Sequence, residues 1–455
     1  MPAPSPSERT SSPRAAAPIM ERVRSIAGGG RVILTLGLVA DGIGSYLYLT
    51  SSGRALGPER FALISVMWAV LFLIGNGLFI PVEQELARSI ASSHARGDDG
   101  NGIVSRLATA AGVLVAVVAV VGIALSGTIR ASLFRDQTGF VAALIVGVAS
   151  IACMFLVRGV LAGTGRYAAY GALFMADAAA KAAPALGAAA AGVDEPLVYA
   201  WIMATSGFIG CLVALAVARP IGLRRGTGPA TAWPPILSAL GFLLLTSVLS
   251  LTVINIGTVA VEVLSGPTEE AAAGIFLSAL VIARVPLFLF QAVQAVVLPR
   301  LSAKASVGDI HGFRADLRLL AGGLAGLTAV AVVGAFALGA FAQRVLFGDE
   351  FDRIDGRDMG LLTLASMLMT GALTLNQAQI ALRRQHQTWW PWALALAAFV
   401  AVAATSTSDL LGRVEWAMCA AGAVALVVAA WLLRSELRRV PPGEAVAPEP
   451  RVGTI

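Results

Sequence analysis

Charge is scarce in this chain. Asp, Glu, Lys and Arg supply 13% of its 455 residues, about half the ~25% of an ordinary soluble domain, so no water-facing surface of matching size can be built. Cysteine and histidine are scarcer still, at three each. They stand far apart with no HxxxH or CxxC spacing, so no metal centre is expected. Cys153, Cys211 and Cys419 lie inside apolar runs and read as small helix-packing residues. No GxxxxGK[ST] loop occurs, which leaves no ATPase encoded in the chain. The start, "MPAPSPSERTSSPRAAAP", has no apolar stretch ending in a cleavage site and reads as a tail, not a secretory signal. Connections between apolar runs are short, so no soluble catalytic domain fits and an enzyme is not expected.

Hydrophobicity is what the chain has. Apolar residues make up 57%, and the mean hydropathy is +0.80. Runs long enough to cross a bilayer recur throughout. Twelve are expected, at roughly 31–52, 60–81, 104–126, 139–163, 167–191, 196–218, 236–263, 271–297, 316–342, 359–380, 390–407 and 414–433. Most of the 33 basic residues fall in alternate connections that share a side with both termini. Excess Lys and Arg mark the cytoplasmic side, so both termini are expected there, in a multi-pass protein of the cell membrane. The +6 net charge is then a topology signal and implies no nucleic-acid partner. Basic inner loops instead favour anionic membrane lipids.

An internal repeat organises the runs. "LGPERFALISVMWAVLFLIGNGLFIPVEQELARSIASSHARGD" and "LSGPTEEAAAGIFLSALVIARVPLFLFQAVQAVVLPRLSAKASVGD" share a Gly-Pro, acids, a long apolar helix, a proline, a basic loop and a Gly-Asp. The spacings Gly57 to Gly266 and Gly97 to Gly308 differ by only two residues. "SLFRD" and "VLFGDE" echo each other before the fourth and tenth runs. Two parallel copies of six helices follow, with substrate expected near the midplane between them. The fold class is therefore an all-α polytopic membrane protein, with two pseudo-symmetric six-helix lobes around a central cavity. Expected boundaries are a tail at 1–28, an N-lobe at 29–218, a linker at 219–235, a C-lobe at 236–434 and a tail at 435–455.

The segments "RALGPERFALISVMWAVLFLIGNGLFIPVEQELAR" and "ARVPLFLFQAVQAVVLPRLS" resemble the two lobe signatures of the polysaccharide biosynthesis (Wzx-type) family. That family belongs to the multidrug/oligosaccharidyl-lipid/polysaccharide (MOP) exporter superfamily. The resemblance is clearest over 31–100 and 240–305. It implies a flippase that moves undecaprenyl-linked sugars between leaflets by alternating access, with the lipid-linked glycan as substrate and polysaccharide assembly enzymes as neighbours. A drug or metabolite cation antiporter of the same superfamily is the alternative. A lipid II flippase and a membrane glycosyltransferase or polymerase rank below both.

Polar residues inside the runs are the candidate sites. Asp177 and Lys181, in "LFMADAAAKAAP", are i,i+4 neighbours that can pair on one face of the fifth span. Asp177 lies about ten residues, or ~15 Å, from the inner boundary, where a lone charge costs about 2.5–3.5 kcal/mol. On the first span, Gly37, Asp41, Gly44, Ser45, Tyr48 and Ser52 form one stripe, with Asp41 at similar depth. Some MOP exporters keep a carboxylate on the first and fifth helices as a proton or cation site, and Asp41 and Asp177 match those positions by helix order. The resemblance thus implies ion coupling through Asp41, with Asp177–Lys181 as its electrostatic neighbour and a proton or sodium ion as the coupling species; no other cofactor is expected. A buried structural aspartate, or a neutralised pair between helices, is the bland reading of each.

In the second lobe, Arg284 sits beside Pro286 near the middle of the eighth span. Its planar fork suits a diphosphate, with Asn255, Gln291, Ser45 and Tyr48 as further cavity contacts. Arg158 lies about a turn from the cytoplasmic end, where snorkelling and cavity contact stand equal. Glu83, Glu85 and Arg88 follow Pro81 and read as solvated end charges, and Trp389, Trp390 and Trp392 as interface anchors.

Overall fold

Where no water can bond the backbone, a helix satisfies its own N–H and C=O groups, and the apolar runs take that form. The computed structural model describes residues 16–95, 101–218, 233–266, 269–287, 301, 304–305, 308–382, 385–406 and 409–439. All regular structure among them is helical. The first lobe contains α1 (Ala16–Leu71), a π-helical turn (Phe72–Asn76), α2 (Gly77–Ala95), α3 (Asn101–Ala124), the short α4 (Ser126–Leu133), α5 (Phe140–Gly163), α6 (Tyr167–Ala190) and α7 (Pro196–Val217). The second contains α8 (Trp233–Leu264), α9 (Ala272–Ala283), α10 (Ile310–Phe347), α11 (Gly356–Ala381), α12 (Trp390–Thr405) and α13 (Leu410–Arg439).

Every expected span falls on a helix, although the eighth is described only to Leu287. The first two share α1, which breaks at Gly57 (φ 66°, ψ 169°). Only glycine adopts this left-handed, extended geometry freely, and Pro58 follows it. Eight stretches are long and apolar enough to span, one of them (Val32–Ile90) covering both arms of this bend, and two shorter apolar helices join them. The architecture is all-α and two-lobed.

Helix ends differ from the expected boundaries. Helix α1 begins at Ala16 and α13 runs to Arg439, so helix reaches into both segments read as tails; Ala, Met, Glu and Arg are good helix formers. Residues 219–232 of the expected linker lie outside the described residues, and α8 starts at Trp233. Helix α4 was not anticipated, because "SGTIRASL" is short and polar.

Small residues let the N-lobe helices approach closely, as membrane interfaces require. A Cβ on Gly37 would lie 2.5 Å from the Gly171 carbonyl oxygen, and one on Gly44 would lie 2.7 Å from Ala178 Cβ. Helices α1 and α6 therefore touch backbone to backbone. The third span of each lobe is peripheral instead: Val120 on α3 and Val330 on α10 are 67% and 72% exposed.

The lobes meet across the end remote from the chain termini, called the outer end because the termini are expected to be cytoplasmic, and down towards the middle. Arg135, before α5, pairs with Glu262 on α8 at 3.0 Å and with Glu270 at 3.7 Å. Arg54 on α1 donates to the carbonyls of Val345 (2.5 Å) and Leu346 (2.9 Å) on α10. Phe61 packs on Phe347 and Phe351 at ring separations of 5.9 and 5.8 Å. Deeper, the Tyr46 hydroxyl donates to the Val281 carbonyl at 2.6 Å.

Candidate functional site

The Gly37–Gly171 and Gly44–Ala178 approaches decide what lies between α1 and α6. They bring the stripe on α1 within reach of Lys181, whose Nζ lies 2.9 Å from Asp41 Oδ1 and 2.8 Å from Asp177 Oδ2. The same ammonium donates to Ser45 Oγ at 3.1 Å. Four of the residues singled out from sequence thus form one cluster. Lysine has three donors, and each has an acceptor here. Asp177–Lys181 was expected as the electrostatic neighbour of Asp41; with α1 and α6 this close, Lys181 binds it directly.

The cluster carries two carboxylates against one ammonium. Its two acids differ in surroundings. The Asp177 side chain is 5% exposed and the Asp41 side chain 28%. Gly210 of α7 packs on Asp177, since a Cβ there would lie 3.2 Å from the Asp177 Cβ. Asp41 is therefore the more exposed of the two acids, with Asp177 behind the ammonium.

Tyr48 shares the Asp41 stripe but not its role. It is fully buried; its hydroxyl donates to the Tyr199 carbonyl at 2.9 Å, and its ring stacks on Trp68 at 6.2 Å. Towards the outer end the face of α1 is filled by α7 and the second arm of the bend, and Tyr48 packs between them.

A second ionic group joins α2, α5 and α6. Arg158 pairs with Glu83 at 3.0 Å and donates through Nε to the Tyr170 hydroxyl at 3.0 Å; that hydroxyl donates to Glu83. The guanidinium lies over Phe155 at 4.3 Å and Phe174 at 5.0 Å, stacking that suits arginine. Arg158 therefore neither snorkels nor stands open to a cavity. Glu83 is likewise not a solvated end charge, its side chain being 13% exposed. Glu85 accepts from the largely exposed Arg88 at 2.7 Å, so Arg88 alone of that trio faces outward. Trp392, expected as an anchor, is fully buried.

In the C-lobe, α9 stops at Ala283 and Arg284 occupies the turn that follows. Pro286 lacks the N–H that would continue the ladder. Arg284 Nη2 donates to the Ile254 carbonyl at 2.6 Å, and Nη1 approaches Asn255 Oδ1 at 3.5 Å. Asn255 in turn donates to the Leu251 carbonyl at 3.0 Å. Arg284 and Asn255 are thus brought together, and among the described residues no carboxylate pairs with Arg284. Gln291 lies outside the described residues.

No protein-family model matches the chain, and neither does any curated protein. Solved structures do. A multidrug-resistance MATE family transporter of the MOP superfamily matches in its inward-facing conformation with a TM-score of 0.66 at 15% identity, over 90% of this chain and 95% of the other. An outward-facing structure with the same description gives 0.64 at 15% identity, over the same shares. A mutant of the Vibrio cholerae MATE transporter VcmN gives 0.64 at 13% identity, over 91% and 96%. The chain has the fold of these transporters along nearly its whole length.

Proposed function

We propose that this protein is a secondary transporter of the cell membrane that flips an undecaprenyl-diphosphate-linked oligosaccharide between leaflets by alternating access. The observation that carries this reading is the pairing of Arg284 with Asn255 at the break after α9. A guanidinium held by a backbone carbonyl and an amide, with no acid beside it among the described residues, keeps its charge for an anion. A planar fork of donors matches a diphosphate. The MATE fold supplies two lobes that can face either side in turn. In this reading both termini are cytoplasmic, as the basic-residue asymmetry suggests.

Flipping of a labelled undecaprenyl-diphosphate sugar in proteoliposomes tests the reading. Arg284→Gln is expected to lose at least ten-fold in rate and Arg284→Lys several-fold. Full activity of Arg284→Gln at normal expression would remove the role.

A second reading, a cation antiporter for drugs or metabolites, draws on the two carboxylates of the N-lobe cluster. The same liposomes separate the two. A gradient-driven cation flux with no movement of the lipid-linked sugar would favour the antiporter.

A further inference from the structure

A large cavity among the described residues lies away from the site proposed for transport. It is a cleft of about 1100 Å³ between α10 and α13, floored by α11. Small-molecule pockets typically span about 300–1,000 Å³, so its size fits something larger than a drug. One end is lined by Arg314, Arg318, Arg434 and Arg438, and the rest by side chains such as Leu324, Val332, Leu368 and Leu426. We infer that this cleft is a binding site for an anionic glycerophospholipid, with its phosphate on the four arginines and an acyl chain between α10 and α13.

Charge comes first. Arg318, Arg434 and Arg438 make no hydrogen bond or ion pair with any described residue, and Arg314 donates only to the Leu437 carbonyl at 2.6 Å. Nearby acids are engaged elsewhere. Asp316 pairs with Lys304 at 2.7 Å, Asp309 caps α10 by accepting from the Gly312 N–H, and Glu436 is buried with Gln387 approaching it at 3.5 Å. Four guanidinium groups with no acid among them form a phosphate-binding mouth, and arginine binds phosphate through two parallel bonds.

The walls select the rest of the ligand. From Leu320 to Val333 α10 carries no charged residue, about 20 Å of helix, more than the ~15 Å half-thickness of the hydrocarbon core. Thr328 and Thr374 line the cleft, yet their hydroxyls bond their own helices at Leu324 (2.7 Å) and Thr370 (2.8 Å). Such walls suit an alkyl chain and offer little to a sugar. The two helices touch at the mouth through Arg314 and Leu437, and the cleft lies between them beyond it. Leu319, Val330 and Val333 of α10 are 74%, 72% and 68% exposed, so a lipid seated there covers a face of the helix that the described residues leave open. The site is independent of which substrate the lobes move.

Purified full-length protein in neutral detergent tests this by thermal shift and native mass spectrometry. The probes are phosphatidylglycerol, phosphatidylcholine, undecaprenyl phosphate and inorganic phosphate. Phosphatidylglycerol is expected to bind one molecule tightly enough to survive desorption, and to raise the melting temperature at concentrations at least ten-fold below phosphatidylcholine. The triple variant Arg318→Gln, Arg434→Gln, Arg438→Gln should lose that preference while melting as the wild type does without lipid. Ala329→Trp, which fills the cleft but spares the mouth, should lose the long-chain lipid and keep a short-chain, dihexanoyl form. Equal protection by phosphatidylcholine, or by inorganic phosphate, would overturn the assignment, and so would a preference for undecaprenyl phosphate. Retention of the ten-fold preference by the triple variant would overturn it as well.

Discussion

Lys181 on α6 reaches Asp41 on α1 at 2.9 Å, 140 residues apart in sequence, while still holding Asp177 one turn away. The ammonium occupies the place between two acids that a bound cation would otherwise take. In the proposed coupling role, an entering proton or sodium ion would compete with this internal cation for Asp41.

Removing Lys181 leaves both acids without their cation. Breaking a buried pair from one side costs about 3–5 kcal/mol, whereas removing both partners costs far less. Lys181→Met is expected to lower extracted yield and melting temperature sharply, and Asp177→Asn/Lys181→Met to recover most of the loss. Asp41→Asn is expected to fold, bind substrate and lose its dependence on an imposed proton or sodium gradient. Unchanged gradient dependence in proteoliposomes would make Asp41 a packing residue.

The approach of α1 to α6 rests on Gly44. A methyl there meets Ala178 Cβ at 2.7 Å, whereas Gly42, two residues away, has no neighbour within 4 Å. Gly44→Ala is expected to destabilise by about 1–3 kcal/mol through overpacking and to weaken the Lys181–Asp41 contact. Gly42→Ala should be neutral or gain up to about 1 kcal/mol from helix propensity. Melting curves in detergent compare the two directly.

The Arg158 group separates charge from hydrogen bonding. Tyr170→Phe removes one hydroxyl bridge and should cost about 1 kcal/mol. Arg158→Met strands Glu83 and should cost about 3–5 kcal/mol, most of it restored by adding Glu83→Gln. A mild Arg158→Met with a severe Tyr170→Phe would contradict this order.

At the outer end, Arg135→Ala leaves Glu262 8% exposed without its base. A loss of about 2 kcal/mol is expected for truncating one side of such a pair. It falls on the contact between lobes, so a cysteine placed at Phe347 should label faster with a membrane-impermeant maleimide. Equal labelling rates would show that this contact does not hold the lobes together.

The spans were legible because a bilayer demands about 20 apolar residues in a row, a constraint visible in sequence without any tertiary information. The Asp177–Lys181 pair was legible for a similar reason, since an i,i+4 relation is local. The Lys181–Asp41 contact was not, because it depends on how deeply one helix sinks into another. That depth is set by Gly37, Gly44 and Gly171 jointly. Tyr48 was misread because a polar stripe of helical period marks a shared face and cannot say whether water or a tryptophan lies opposite. Glu83 was misread because its partners, Arg158 and Tyr170, come from two other helices.

If the lobes alternate as proposed, contacts such as Arg135–Glu262, Arg54–Leu346 and Phe61–Phe347 would serve as the fulcrum in the state that is closed at this end. The opposite rim is a bilayer away, about 30 Å. A rigid rotation of about 10° about these contacts displaces that rim by about 5 Å over such a lever arm, while the pivot atoms stay nearly in place. Wide opening at one mouth therefore requires little rearrangement at the other.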